Sequence, residues 1–262
     1  MAQLFVYVLM KLEAGKKLFN RQENIVNMKR CIIFLIAVGL SVAAYTQERE
    51  ALVPDYSSIK ELVQDPNSLF FYPHLLAKYE RNDTTLSLRE YRMLYYGFFF
   101  DKKYENQFND QATDDSLKAL LAKDNMSTKD WTKVLALDKQ HLSQRPFELK
   151  KLNIAFMAYK KLGDSAMANI YLDKVRKIAY AILSSGDGQS EATALHVLQI
   201  SDEYSLINML GYEFGGTQEL TTSQCDFLSL KDNPENIKGL YFDVKQIFKG
   251  HERSMIGSSA QK

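Results

Sequence analysis

Apolar residues recur at helical spacing through most of the chain, and the period changes near its end. After a polar stretch at 47–54, a short helix is expected over 57–64, closed by Asp65, Pro66 and Asn67, and a second over 73–79. Ser87 and Glu90 have the spacing of a capping box: the serine hydroxyl receives the Glu90 amide and the glutamate reaches back. Leu86 and Tyr91 bracket them as a hydrophobic staple. The helix that starts there enters the aromatic run YRMLYYGFFF at 91–100. This run reads as helix–helix core, because aromatic rings carry the largest burial per residue. The polar loop at 109–116 lacks the alternating ligand spacing of a calcium loop. A helix is expected over 115–123, and Ser127 with Asp130 opens another in the same capping style. Pro146 suits the first turn of the next helix, which turns Leu149, Leu152, Ala155, Phe156, Tyr159 and Leu162 inward until Gly163 stops it. Asp164 caps a long helix that turns Ala168, Tyr171, Leu172, Val175, Ala179 and Ile182 inward and ends at SSGDG, 184–188.

Stretches 195–201, 212–220, 225–231 and 239–248 read as strands. In the last, Leu240, Phe242 and Val244 alternate with Tyr241, Asp243 and Lys245, as in a sheet with one buried face. DNPEN at 232–236 is turn chemistry, and a helical turn is expected over 203–210. The tail 251–262 has no apolar pattern and is expected to be disordered. Helices over 55–184 followed mainly by strands over 193–248 predict one α+β domain, 55–250, with a helical layer and a small C-terminal antiparallel sheet.

The front of the chain has a different pattern. Met28, Lys29 and Arg30 precede a mostly apolar run from Cys31 to Ala44, followed by small residues. This is the layout of a signal peptide over 28–46, with cleavage after Ala44 or Thr46. The run is shorter than the ~20 residues of a membrane-spanning helix. Residues 1–27 then read as an upstream extension from a start assigned too early, and 47–54 as a loose linker. The protein is expected to be exported to the periplasm or the extracellular space, with no stable membrane span after cleavage.

Export alters the charge picture. The chain has 33 basic and 32 acidic residues; residues 1–46 hold six of the former and two of the latter, leaving 27 and 30, a net of −3. No basic footprint for nucleic acid remains. Only Cys225 follows the leader, so no internal disulfide can form and the core alone must hold the domain.

Two resemblances follow from motifs. LNIAFMAYKKLGDSAMANIYLDKV at 152–175 resembles a tetratricopeptide helix pair, through Leu152, Tyr159, Gly163, Ala168 and Tyr171. Phe156 and Val175 depart from the small residues usual at their positions, and a clear second copy is missing. The second resemblance covers nearly all of the mature chain. Asn82 to Leu86, Leu94 to Gly97, Gly186 to Gly188, Thr193–Ala194, Val197, Asp202 to Tyr204, Gly211, Gln218 with Leu220, and Tyr241–Phe242 occur in order. The series resembles a group of secreted bacterial proteins defined as a domain of unknown function, family 4919. The resemblance implies export and a shared fold, and carries no catalytic residues.

Candidate chemistry concentrates at 186–206, where Asp187, Glu191, His196, Asp202 and Glu203 could converge as metal ligands or an acid–base set. No compact ligand spacing such as H-E-x-x-H supports a metal, and no glycine-rich phosphate loop supports a nucleotide cofactor. Cys225 reads as a small buried hydrophobe in a strand. No catalytic, metal or cofactor residue is therefore assigned. The expected function is a non-enzymatic module that binds another envelope or secreted protein or peptide. The alternative is an exported hydrolase or small-ligand or metal binder centred on 186–206.

Overall fold

A computed structural model describes residues 51–106 and 112–259. The expected upstream extension, the signal peptide and residues 47–50 of the linker lie outside the described residues. The rest of the linker is not loose. The Leu52 amide donates to the Ser184 carbonyl at 2.8 Å, and the Arg92 guanidinium donates to the Leu52 carbonyl.

Ten α-helices occur among the described residues. Asp55 caps α1 (Tyr56–Gln64) by accepting from the amides of Ser57 and Ser58. Next come α2 (Tyr72–Glu80) and α3 (Leu88–Gly97), and α3 opens with the expected Ser87–Glu90 box. A 3-10 turn at Phe98–Phe100 leads to α4 (Lys102–Asn106) and α5 (Ala112–Leu121). The Ser127–Asp130 box opens α6 (Thr128–Gln144). The α7 helix (Leu149–Lys161) begins three residues beyond Pro146, and α8 (Ser165–Leu183) starts at the Asp164 cap.

Helix α7 packs between α6 and α8, α8 packs on α3, and α3 carries α1 and α2. The aromatic run of α3 and the following 3-10 turn is core: Leu94, Tyr95, Tyr96 and Phe98 are all buried. Edge-to-face ring contacts such as Phe98–Phe147, at 5.5 Å, tie the 3-10 turn after α3 to the loop before α7.

The sheet has four strands in the order β1-β4-β3-β2: β1 (Leu195–His196), β2 (Phe214–Leu220), β3 (Cys225–Leu230) and β4 (Gly239–Asp243). The β2–β3 and β3–β4 pairs are antiparallel, as expected, but β1 runs parallel to β4, so the sheet is mixed. The reason is a crossover: α9 (Ile200–Met209), β2 and β3 intervene between the two parallel strands. The 195–201 stretch is strand for two residues only, because α9 begins at Ile200. The alternation of 239–248 likewise stops at Asp243, and α10 (Lys245–Ser259) takes over. This helix replaces the disordered tail expected from 251. Arg253 anchors it, donating to the Phe99 carbonyl at 2.9 Å and lying 4.2 Å from that ring's centroid.

Cross-strand register assigns the faces. Leu195, Phe242, Leu240, Asp226, Leu228 and Leu230 are buried on one side. His196, Asp243, Cys225, Tyr241 and Phe227 lie on the other. At the β2 edge the register slips between Phe214 and Gln218, a bulge that Gly216 permits with φ of 102°. One hydrophobic cluster runs from Ile59 in α1 to Val244 after β4, spanning helices and sheet.

Candidate functional site

The five polar candidates of 186–206 do not meet in one place. Asp202 and Glu203 sit in the first turns of α9 and are wholly buried, yet they face different elements. Asp202 turns toward the helical layer. Its Oδ2 accepts from the Tyr95 hydroxyl at 2.8 Å and its Oδ1 from the Leu149 amide at 2.9 Å. Burial pushes its pKa up to about 8 against these two hydrogen bonds. Glu203 turns toward the sheet and faces the Asp226 carboxyl of β3; burial, then Asp226 and Asp202, push its pKa up to about 9. Asp226 accepts from Gln218 Nε2 at 2.8 Å, and Gln218 Oε1 accepts from the Tyr204 hydroxyl at 2.6 Å.

The other three candidates lie at the end of the sheet. Glu191 is exposed and accepts from the hydroxyls of Ser223 and Thr221. Asp187 accepts from the Gln189 amide within its own loop. His196 stands opposite Asp243, with Nδ1 4.0 Å from Oδ2. Burial lowers the imidazole pKa, so it is neutral at pH 7 and the contact is no ion pair. Lys245 instead holds Asp243, at 2.7 Å.

Cys225 pairs with Asp243 from the other side, so His196, Asp243 and Cys225 form one row across β1, β4 and β3. The row resembles a triad in composition only. Its carboxylate occupies the middle, and two strand spacings put the imidazole about 10 Å from the thiol. A nucleophile and its base must share a hydrogen bond. Burial also raises the thiol pKa, which keeps the sulfur protonated. Among the described residues no group of three or more His, Cys, Asp or Glu side chains could hold a metal ion.

Sequence reasoning missed the partners: Tyr95, Asp226, Gln218 and Asp243 all lie outside the 186–206 window. It also missed two buried charges of the helical layer. Lys174 donates to Asn82 Oδ1 at 2.6 Å and lies 4.0 Å from the Tyr79 ring centroid; burial lowers its pKa to about 8. His141 and Glu148 form a buried pair at 2.6 Å. Burial pushes Glu148 up, but His141, Lys151 and Arg145 together bring it below the ordinary glutamate value.

The motifs noted in the sequence converge on this same framework. The 82–86 turn is held from α8 by Lys174 and by Lys177, whose Nζ reaches the Leu86 carbonyl at 2.9 Å. Tyr95 of Leu94–Gly97 meets Asp202 of Asp202–Tyr204, and Tyr204 meets Gln218. Gly186 lies against the carbonyls of Thr193 and Ala194, closer than any side chain would allow. The family of the domain of unknown function DUF4919 matches residues 57–253. The chain belongs to that family. Members of its motif series, as they occur here, take part in contacts within the helical layer and, through Tyr204 and Gln218, between α9 and the sheet. Neither the curated proteins nor the solved structures contain a match to the chain. No helix among the described residues is long and apolar enough to cross a membrane.

Proposed function

We propose that this protein is exported and acts, without catalysis, by binding another envelope or secreted protein or peptide. The observation that supports this reading is the outer face of the sheet. There Phe227 and Tyr241 lie side by side, ring centroids 4.9 Å apart, and both remain partly open to solvent. Exposed Glu219 pairs with Phe227 across the strands and gives the patch a polar rim. Half-buried aromatic side chains with a polar surround are the usual anchors of protein interfaces. The acids and the histidine of 186–206, by contrast, are committed to contacts within the fold.

The test uses the purified protein as bait on an envelope fraction, followed by binding of each recovered partner in purified form. A partner that binds the wild type and loses at least tenfold in affinity with Tyr241→Ser, at unchanged thermal midpoint, supports the reading. A partner that binds Tyr241→Ser as tightly as wild type overturns the assignment to this face. Hydrolytic turnover by the purified protein overturns the non-catalytic reading.

A further inference from the structure

We propose that Glu203 and Asp226 share one proton and form a proton-held latch between α9 and β3, closed while the proton is present and loosened when it leaves. The Glu203 side chain is wholly buried, and neither of its carboxyl oxygens receives a hydrogen bond from a protein donor. The group it faces is another carboxyl, Asp226, itself 6% exposed. Two carboxylates only accept, so when both are ionised they can form no hydrogen bond and they repel. One proton converts one of them into a donor and satisfies both, as in any pair of acids sharing a site.

The neighbouring bonds show how a proton on Glu203 is accommodated. The Tyr204 hydroxyl donates to Gln218 Oε1, which leaves Gln218 Nε2 as a donor to Asp226 Oδ2. Asp226 Oδ2 is thereby an acceptor, and a proton on Glu203 can be donated to the remaining acceptor capacity of Asp226. The titratable groups facing Glu203 are Asp226 from β3 and Asp202 and Tyr204 from α9 itself, none of them cationic. The latch is therefore held by a hydrogen bond, not by an ion pair. Through Asp226 and Gln218 it extends to β2, so its release loosens the hold of α9 on the β2–β3 hairpin and leaves the Tyr204–Gln218 bond as the remaining polar link.

The direction of the pH effect follows. Glu203 ionises only near pH 9 in the fold, against 4.5 for an ordinary glutamate. Between those values the unfolded chain binds fewer protons than the folded one. Stability therefore falls as pH rises across the window, and the unfolding constant grows up to about tenfold per pH unit for this one group.

The experiment measures urea unfolding of the purified protein from pH 5 to 9.5, with infrared detection of protonated carboxyl groups at neutral pH. E203Q keeps a donor toward Asp226 but cannot ionise. It is expected to flatten the pH dependence by close to one proton and to remove one protonated carboxyl from the infrared spectrum. D226N removes the neighbouring charge and is expected to shift the ionisation of Glu203 to lower pH. Equal pH slopes in wild type and E203Q, or an unchanged infrared spectrum, would overturn the latch. So would a calcium-dependent rise in the wild-type midpoint that E203Q abolishes, since a cation would then hold the pair.

Discussion

The Asp202 carboxyl caps a helix other than its own: its Oδ1 accepts the amide of Leu149, the first residue of α7, at 2.9 Å. Helix α7 has no side-chain cap of its own, because its N-cap residue, Glu148, is drawn to His141. One acid thus closes a helix start in the middle of the chain and, through Oδ2, takes the Tyr95 hydroxyl of α3. Three helices distant in sequence are joined at a single buried group.

Replacing Asp202 separates its two roles. Asp202→Ala leaves the Leu149 amide and the Tyr95 hydroxyl without their acceptor and should cost about 1–3 kcal/mol in urea unfolding at pH 6. Asp202→Asn keeps an acceptor for Leu149 and lacks the ionisable proton. Because burial lifts the folded-state pKa to about 8, the wild type loses stability between the ordinary aspartate value of 3.8 and that pH. Asp202→Asn should remove that loss, so its disadvantage shrinks or reverses from pH 5 to pH 8. A constant difference between the two proteins across this range would contradict the assignment.

Tyr95 offers a cleaner test of the same junction. Its hydroxyl donates to Asp202 and accepts the Leu198 amide at 3.0 Å, and both partners are buried. Tyr95→Phe keeps the ring and removes one oxygen. The expected cost is about 1–3 kcal/mol, more than the few tenths usual for a surface change. Double substitution of Tyr95 and Asp202 should be less costly than the sum of the single changes, since each loses the same bond.

The parts of this fold that were legible in the sequence are those written locally. Ser87–Glu90, Ser127–Asp130 and Asp164 announce helix starts by side chains that bond within their own turn, and all three do so. The reversal from helices to strands was readable from period alone. What was not readable depends on distant partners. Nothing in the alternation from Leu240 to Lys245 signals that Asp243 ends the strand; its carboxylate takes the Lys245 amide and side chain and turns the chain into α10. The polar run at 186–206 looked like one site because its residues are close in sequence. Helical geometry splits Asp202 from Glu203, neighbours on α9 that point to opposite layers.

Gly186 marks a backbone approach that no other residue permits. A Cβ at this position would lie 2.1 Å from the Thr193 carbonyl oxygen and 2.6 Å from that of Ala194. Both obstacles are main chain, so they cannot rotate away. Gly186→Ala should therefore destabilise by about 1–3 kcal/mol. Gly97→Ala is the control. Its Cβ meets side-chain atoms of Val63 and Tyr72 at 3.0 and 3.2 Å, which can shift, and alanine favours the helix by roughly 1 kcal/mol. The thermal midpoint should fall clearly in the first variant and little in the second.

Cys225 should behave as a buried hydrophobe. It is almost wholly covered, and burial raises the thiol pKa. Thiol reagents should label the native protein at least tenfold more slowly than the urea-unfolded chain. Cys225→Ala should leave binding of any partner unchanged while costing stability through the lost volume, on the order of 1 kcal/mol. Rapid labelling at neutral pH in native conditions would show an exposed, activated thiol and reopen the case for chemistry at the His196–Asp243–Cys225 row.

The proposed export and cleavage can be tested by mass spectrometry of the protein recovered outside the cytoplasm. Cleavage after Ala44 or Thr46 predicts a first residue of Tyr45 or Gln47, and no peptides from residues 1–27. The structure adds a second boundary. Leu52 is held at both its amide and its carbonyl, by Ser184 and Arg92, and Arg92 also bonds the Ser184 hydroxyl at 2.7 Å. The clamp fixes the backbone at Leu52, which a protease must have extended and free to cut, so limited proteolysis should trim the chain toward Leu52 and then stall. Arg92→Ala removes the clamp and should move the stalling point inward, toward α1 at Tyr56. A wild-type chain that is trimmed into α1 as readily as Arg92→Ala would mean that the clamp does not order the start of the domain.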